Sequence, residues 1–221
     1  VSVDTDTWWH LRAGQWIVEN QSIPQADPFS YTRVGASWQY PGWLVEVPMY
    51  WIYQAAGPGG LNLWTGAMVT LAFIFVWKTL TGNVFVRAFT TVFAAAASGV
   101  YWAARPYLVT FVLAAVFLWQ LEDDRIEGRN SKRIAWLLPV LMVVWANSHG
   151  GFAVGFLLWG VYFVDRLLST FWTNRELFAS ASGRGQGIYQ VFKGARGYLL
   201  LGALLLAAAC VSPSGPAMLA Y

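Results

Sequence analysis

Apolar residues along most of this chain run in blocks of 13 to 21, separated by short polar joints that carry glycine or proline. A helix needs about 20 mostly apolar residues to cross the hydrocarbon of a bilayer. The blocks at 61–77, 84–104, 106–121, 134–146, 152–172 and 198–211 therefore predict six spans. Two of them, 134–146 and 198–211, are short, which calls for thinned lipid, helical extension by the flanks or shelter inside a bundle. Residues 43–56 are apolar but too short to span and rich in Trp and Tyr, so they predict an interfacial helix leading into the first span. Residues 8–20 are amphipathic, with Trp9, Ala13, Trp16 and Ile17 on one stripe and Arg12, Gln15 and Glu19 on another, the pattern of a second surface helix. Pro24, Asp27-Pro28 and Gly35 mark the turn-rich connection between the two. The expected fold is all-α, a polytopic membrane helical bundle with two juxtamembrane helices. Residues 1–60 form an extracytoplasmic loop, 61–212 the six-span bundle with a cytoplasmic loop at 173–197, and 213–221 an outer turn. A first span is expected upstream of Val1, making the chain a piece of a longer protein.

Composition narrows the class. The 221 residues are 57% hydrophobic and only 11% charged, against about a quarter charged in a soluble domain. That disfavours a soluble enzyme, a disordered chain and a disulfide-stapled module. The lone Cys210, in an Ala/Leu run, reads as a small buried hydrophobe. The net charge is +3, but the basic run from Arg125 to Arg133 is interleaved with Glu127 and preceded by Glu122, Asp123 and Asp124. No nucleic-acid-binding face follows from it. Placing residues before 61 outside puts 11 Lys and Arg on the cytoplasmic side and only Arg12, Arg33 and Arg105 on the other, the orientation that retained positive charge favours. Arg129, Lys132 and Arg133 belong to the cytoplasmic set. The Gly-rich segment 180–197, with Arg184, Lys193 and Arg196, reads as a flexible loop near anionic headgroups.

In that orientation several polar groups collect on the outer face. Asp4 and Asp6 alternate across one Thr, so an extended backbone points both carboxylates the same way. They could hold a divalent cation, or one could act as general base while the other orients it; alternatively Asp6 or Thr7 caps the helix that follows. Arg105 stands between two apolar blocks, where a charge needs a partner such as a phosphate or an acidic side chain, or snorkels to headgroups. His149, between Ser148 and Gly150-Gly151 at an outer turn, is placed to bind a phosphate, act as acid or base, ligate a metal, or make an interhelical hydrogen bond. His10 beside Trp9 says little, and Glu46 either reaches interfacial water or faces the site.

The segments Asp4-Thr5-Asp6-Thr7-Trp8-Trp9-His10-Leu11 with Gly14, Ile23-Pro24, Asp27-Pro28-Phe29-Ser30-Tyr31, Trp38, Trp43-Leu44 and Glu46 carry a resemblance, together with Arg105-Pro106, Trp145-Ala146-Asn147-Ser148-His149-Gly150-Gly151-Phe152 and Ser212-Pro213-Ser214-Gly215. They resemble a group of bacterial multi-pass membrane proteins that looks related to the GT-C glycosyltransferases, the superfamily of protein O-mannosyltransferases and aminoarabinose transferases. The resemblance implies a GT-C-like bundle in the bacterial cytoplasmic membrane, with its active site on the extracytoplasmic face and sugar donors carried on polyprenyl phosphate. An acidic pair after the first span is catalytic in that superfamily, and Asp4 and Asp6 occupy the matching place. The bacterial group has a polar pair before the residue matching Trp43, where this chain has Pro41 and Gly42.

Two functions follow as expectations. In the first, Asp4 or Asp6 activates an acceptor while Arg105, with His149 or a divalent cation, steadies the developing charge of a polyprenyl phosphate. In the second, the chain is a non-catalytic accessory or scaffold subunit whose 14 Trp, 10 Tyr and 14 Phe pack against membrane lipid and partner subunits. A related version has His149 ligating the metal of a haem or chlorin pigment.

Overall fold

The computed structural model describes residues 4–127, 131–180 and 182–220. Arg129 lies outside the described residues, as do the side chains of Glu127 and Lys132. Among the described residues the chain is all-helical, with no strand: α1 (Asp6–Asn20), α2 (Trp43–Thr79), α3 (Val84–Ser98), α4 (Tyr107–Glu127), α5 (Ser131–Ala146), α6 (Ala153–Thr173), α7 (Arg175–Ala179) and α8 (Arg184–Ala209). Short 3-10 turns at Gly99–Tyr101, Gly150–Phe152 and Gly215–Ala220 punctuate them. The connection between α1 and α2 is irregular, pinned by an isolated bridge between Ala26 and Ser37.

Four helices are long and apolar enough to cross a membrane: Trp43–Thr79, Val84–Tyr101, Gly150–Thr173 and Arg184–Ala209. The other two predicted spans are helices that fall short by that measure. α4 ends in Glu122, Asp123, Asp124 and Arg125, and the apolar part of α5 is only Arg133–Ala146. α4 instead forms the middle of the bundle, packed on α2, α5 and α6. Phe117 and Leu121 from α4, Leu138, Met142 and Trp145 from α5, and Leu201 and Leu205 from α8 are all essentially sealed from solvent. The Phe117 and Trp145 rings meet edge to face at 5.2 Å, a geometry that adds to simple burial.

α2 is interrupted where the sequence divides it. Gly57 has φ 58° and ψ −151°, outside any helical region, and Pro58 follows it. The residues before and after Gly57 thus form two helical pieces meeting at a bend. That backbone region is essentially reserved for glycine.

Two expectations are corrected. Residues 184–197 are the first turns of α8, not a loop. Their glycines are contact points: a Cβ on Gly187 would press into the Phe178 ring, one on Gly194 into Thr170, and one on Gly202, further along, into Trp159. Each glycine costs about 1 kcal/mol in helix propensity, offset by the close approach that small residues allow between membrane helices. The face of α1 also differs. It starts at Asp6, and it buries Thr7, Leu11, Ala13, Gly14 and Ile17 while Trp9 stays 40% exposed. α1 packs against α2 rather than presenting a simple Trp stripe to lipid.

α3 stands apart, with no buried residue and with Phe85, Phe89 and Phe93 turned outward. Its start is well made, since the Asn83 side chain accepts the Val86 amide at 2.9 Å.

Replacing Gly57 by Ala should lower stability by about 1–3 kcal/mol, read as a reduced Tm in detergent. Gly59→Ala is the control, because a Cβ there meets nothing within 4 Å; its Tm should hold or rise. Equal melting of the two variants would contradict the bend as described.

Candidate functional site

The site is built where the first turn of α1, the start of α2, the joint before α4 and the turn between α5 and α6 converge. Arg105 is its centre. One guanidinium nitrogen, Nη2, donates to Asp4 Oδ1 and lies 3.0 Å from Asp6 Oδ2. Asp4 Oδ1 also accepts the Asp6 amide at 3.0 Å. Asp4, not Asp6 or Thr7, therefore receives an amide of the opening turn, and Thr5 at the N-cap makes no side-chain bond. The two carboxylates are gathered by a guanidinium and not by extended backbone, since Asp6 is already helical. The Nε of Arg105 is buried without a partner.

Beside this cluster, His10 Nδ1 and Glu46 Oε1 approach to 2.5 Å. Contact at that distance places one proton between the two atoms, because lone pairs facing each other would repel. Glu46 is fully buried, and its Oε2 has no partner. Two glycines make this possible. A Cβ on Gly14 would fall 2.2 Å from the Glu46 carbonyl oxygen, and one on Gly42 would fall 2.8 Å from Glu46 Oε1. Gly42 thus gives its space to the Glu46 carboxyl.

His149 is held from behind. Its Nδ1 accepts the Gly151 amide at 3.0 Å and lies 2.9 Å from the Thr110 hydroxyl. Thr110 in turn accepts the Trp145 indole N–H at 2.8 Å. With donors converging on Nδ1, the neutral ring carries its proton on Nε2. The neighbouring Asn147 ties the turn to two other elements. Its Oδ1 accepts the Trp43 indole at 2.9 Å, and its Nδ2 donates to Val143 and Val211 carbonyls at 2.8 and 2.7 Å.

A cavity of about 260 Å³ joins these groups, lined among others by Asp6, His10, Glu46, Arg105, Tyr107 and His149. Asp4 reaches it through Arg105. All four residues singled out in the sequence are thus brought together. Sequence reasoning missed His10 and Glu46 as a pair; the only local hint is a glycine four residues from each, Gly14 and Gly42. Among the described residues no group of three or more His, Cys, Asp or Glu side chains is placed to hold a metal ion. A cation on Asp4 and Asp6 would have to displace the guanidinium.

Tyr107 belongs to two walls. On its other side lies an apolar cavity of about 290 Å³ bounded by Trp102, Leu108, Phe111 and Ala114. Trp102 in turn borders a third cavity of about 570 Å³, lined by Val69, Phe73, Trp77 and Val92 of α2 and α3 and ending at Lys78. A polar pocket thus adjoins an apolar trough between helices.

Electrostatics follow burial. Arg105 holds the Asp4 carboxyl below its usual range. Burial, reinforced by the charge of Arg105 and by His149 once that ring is protonated, pushes His10 down to about 4, and burial lowers His149 as well. Both rings are therefore neutral near pH 7.

These features define an all-helical protein with four helices able to cross a membrane and a charged pocket beside an apolar trough. No protein-family model matches the chain, and neither a curated protein nor a solved structure matches it.

The depressed histidines fix a pH dependence. Below about pH 6.5 the unfolded chain takes up protons that the folded one refuses, so stability is complete above that value and falls as pH drops toward 4. Tm in detergent should decline over that window, with a shallower decline in His10→Gln and in His149→Gln. A flat wild-type profile would refute the assignment of buried neutral rings.

Proposed function

We propose that the protein is a membrane transferase moving a sugar from a polyprenyl-phosphate donor to an acceptor, on the extracytoplasmic face of a bacterial cytoplasmic membrane. The observation that carries this reading is the shared Tyr107 wall: a pocket with Arg105 at its centre adjoins an apolar trough, the shape of a ligand with a charged head and a hydrocarbon tail. The resemblance of the Asp4 to Leu11 segment to GT-C-related proteins and the excess of Lys and Arg toward the opposite side support the class and the orientation. At about 260 Å³ the pocket is smaller than the roughly 300–1,000 Å³ usual for drug-sized ligands, which suits a phosphate or single sugar better than a haem or chlorin on His149.

Two carboxylates outnumber one guanidinium here, so an incoming phosphate must displace one of them. Asp6 is the easier to release, being 48% exposed against 17% for Asp4. The donor phosphate then takes the Asp6 side of Arg105 and the unpartnered Nε, with the His149 Nε2–H as a second donor. Freed Asp6 accepts the proton of the acceptor hydroxyl. The acceptor oxygen bonds to the anomeric carbon as the bond from that carbon to the phosphate oxygen breaks, and the electron pair leaves with polyprenyl phosphate, held by Arg105. His10, kept neutral by burial and fixed at Nδ1 by Glu46, lines the pocket as a hydrogen-bonding group that adds no charge.

A second reading has one observation behind it. α3 leaves Phe85, Phe89 and Phe93 uncovered, a face that a partner subunit could cover, as expected of an accessory protein.

Binding of polyprenyl phosphate to the purified protein, followed by native mass spectrometry, tests the transferase. Arg105→Gln should weaken it at least tenfold. Asp6→Asn should bind it as well as wild type or better, since the competing carboxylate is gone, yet release polyprenyl phosphate from membrane-derived lipid-linked sugars at least 100-fold more slowly. Wild-type protein that binds no more tightly than Arg105→Gln would dispose of the proposal. Copurification with other membrane subunits at fixed stoichiometry, without turnover, would favour the accessory role.

A further inference from the structure

The bundle has a second polar cavity at its other end. Along α4, Tyr107 borders the first pocket and Asp124 the second, and 17 residues of helix separate them by about 25 Å at 1.5 Å per residue. This second cavity, about 670 Å³, opens between α6 and α8, with Asp165, Arg166 and Lys193 in its wall. We propose that it is a headgroup site for an aminophospholipid, in which Arg166 and Lys193 hold the phosphate and Asp165 receives the ammonium.

The geometry starts from Gly194. Its missing side chain lets α8 close against Thr170 of α6, and its carbonyl accepts Arg166 Nε at 3.2 Å. The guanidinium is thereby fixed one residue from Lys193. Among the described residues neither cation has a carboxylate within ion-pair distance, and the Lys193 ammonium lies 5.9 Å from the Tyr189 ring. Asp165 likewise makes no ion pair or hydrogen bond there. The third cation in the wall, Arg125, is different: Glu122 takes it with two bonds, at 2.9 and 2.6 Å. The hydroxyls of Ser169, Thr170 and Thr173 donate to backbone carbonyls of their own helix. Arg166 and Lys193 are therefore the charged donors left to an anion.

The surroundings select a lipid as the source of that anion. Leu168, Trp172, Tyr189 and Phe192 around the cleft are each more than 60% exposed. α6 and α8 both belong to the helices able to cross a membrane. Charges set in such helices are costly unless they pair with one another or face a polar ligand, and a phospholipid brings a phosphodiester to this depth. With Arg125 held by Glu122 and Asp124 accepting the Tyr198 hydroxyl at 3.3 Å, the other two cations and one anion of the wall match a headgroup that itself carries a phosphate and an ammonium. A phosphate-only headgroup leaves Asp165 unmatched.

The test is native mass spectrometry of the full chain in detergent, titrated with phosphatidylethanolamine and with phosphatidylglycerol. Wild type should bind phosphatidylethanolamine more tightly. Arg166→Gln with Lys193→Gln should weaken it at least tenfold, Asp165→Asn should abolish the preference over phosphatidylglycerol, and Arg125→Gln should change neither. Undiminished binding in the double variant, an equal loss in Arg125→Gln, or a preference that survives Asp165→Asn would overturn the assignment. So would displacement of the lipid by millimolar inorganic phosphate, which would identify a free-anion site. Matching Tm values for the variants and wild type separate a lost ligand from a lost fold.

Discussion

The pocket depends on one backbone contact, the seat of Gly14 against the Glu46 carbonyl. No other residue fits there, because a single added carbon would come within 2.2 Å of that oxygen. The contact presses α1 onto α2 and thereby sets His10 over Glu46. It also carries the first turn of α1, with Asp4 and Asp6, toward Arg105. A carboxyl as deeply buried as Glu46 is tolerable only with a hydrogen-bond partner close by, and His10 is that partner. Gly42 completes the enclosure from the other side. The chemistry of the pocket thus rests on two positions with no side chain at all.

The second organising feature is charge held in fixed proportion. Asp4 and Asp6 anchor Arg105 in a joint that otherwise belongs to apolar helices, and the guanidinium keeps one buried N–H unspent. The histidines on either side are neutral, so the balance is set by three charges. Asn147 performs the matching mechanical task, joining α2, α5 and the end of α8 through side-chain bonds where a shift would open the pocket.

Much of the helical layout was legible in the blocks of apolar residues, because burial in protein or lipid demands long runs of them. The bend at residue 57 was legible too, since Gly57-Pro58 cannot continue a helix. The first half of α8 was not. Its glycines read as loop, and only the facing rings and methyls of Phe178 and Thr170 reveal them as points of close packing. The contact face of α1 was misread for a related reason: Trp9 dominates any hydrophobic stripe, yet Gly14 decides which side can approach α2. Asp4, Asp6, Arg105 and His149 announced themselves as charges or rings at odds with their apolar setting. His10 and Glu46 did not, because their partnership spans 36 positions and exists only once two helices touch.

α3 has a bearing on how any ligand reaches the pocket. It has no buried residue, is joined to α2 through Gly82 at φ 101° and through the Arg87 guanidinium on Trp77, and closes one flank of the trough that begins behind Tyr107. A wall so lightly attached is the cheapest part of the bundle to swing aside. For a molecule already dissolved in the bilayer, the doorway is sideways, and its search is two-dimensional diffusion in the membrane plane.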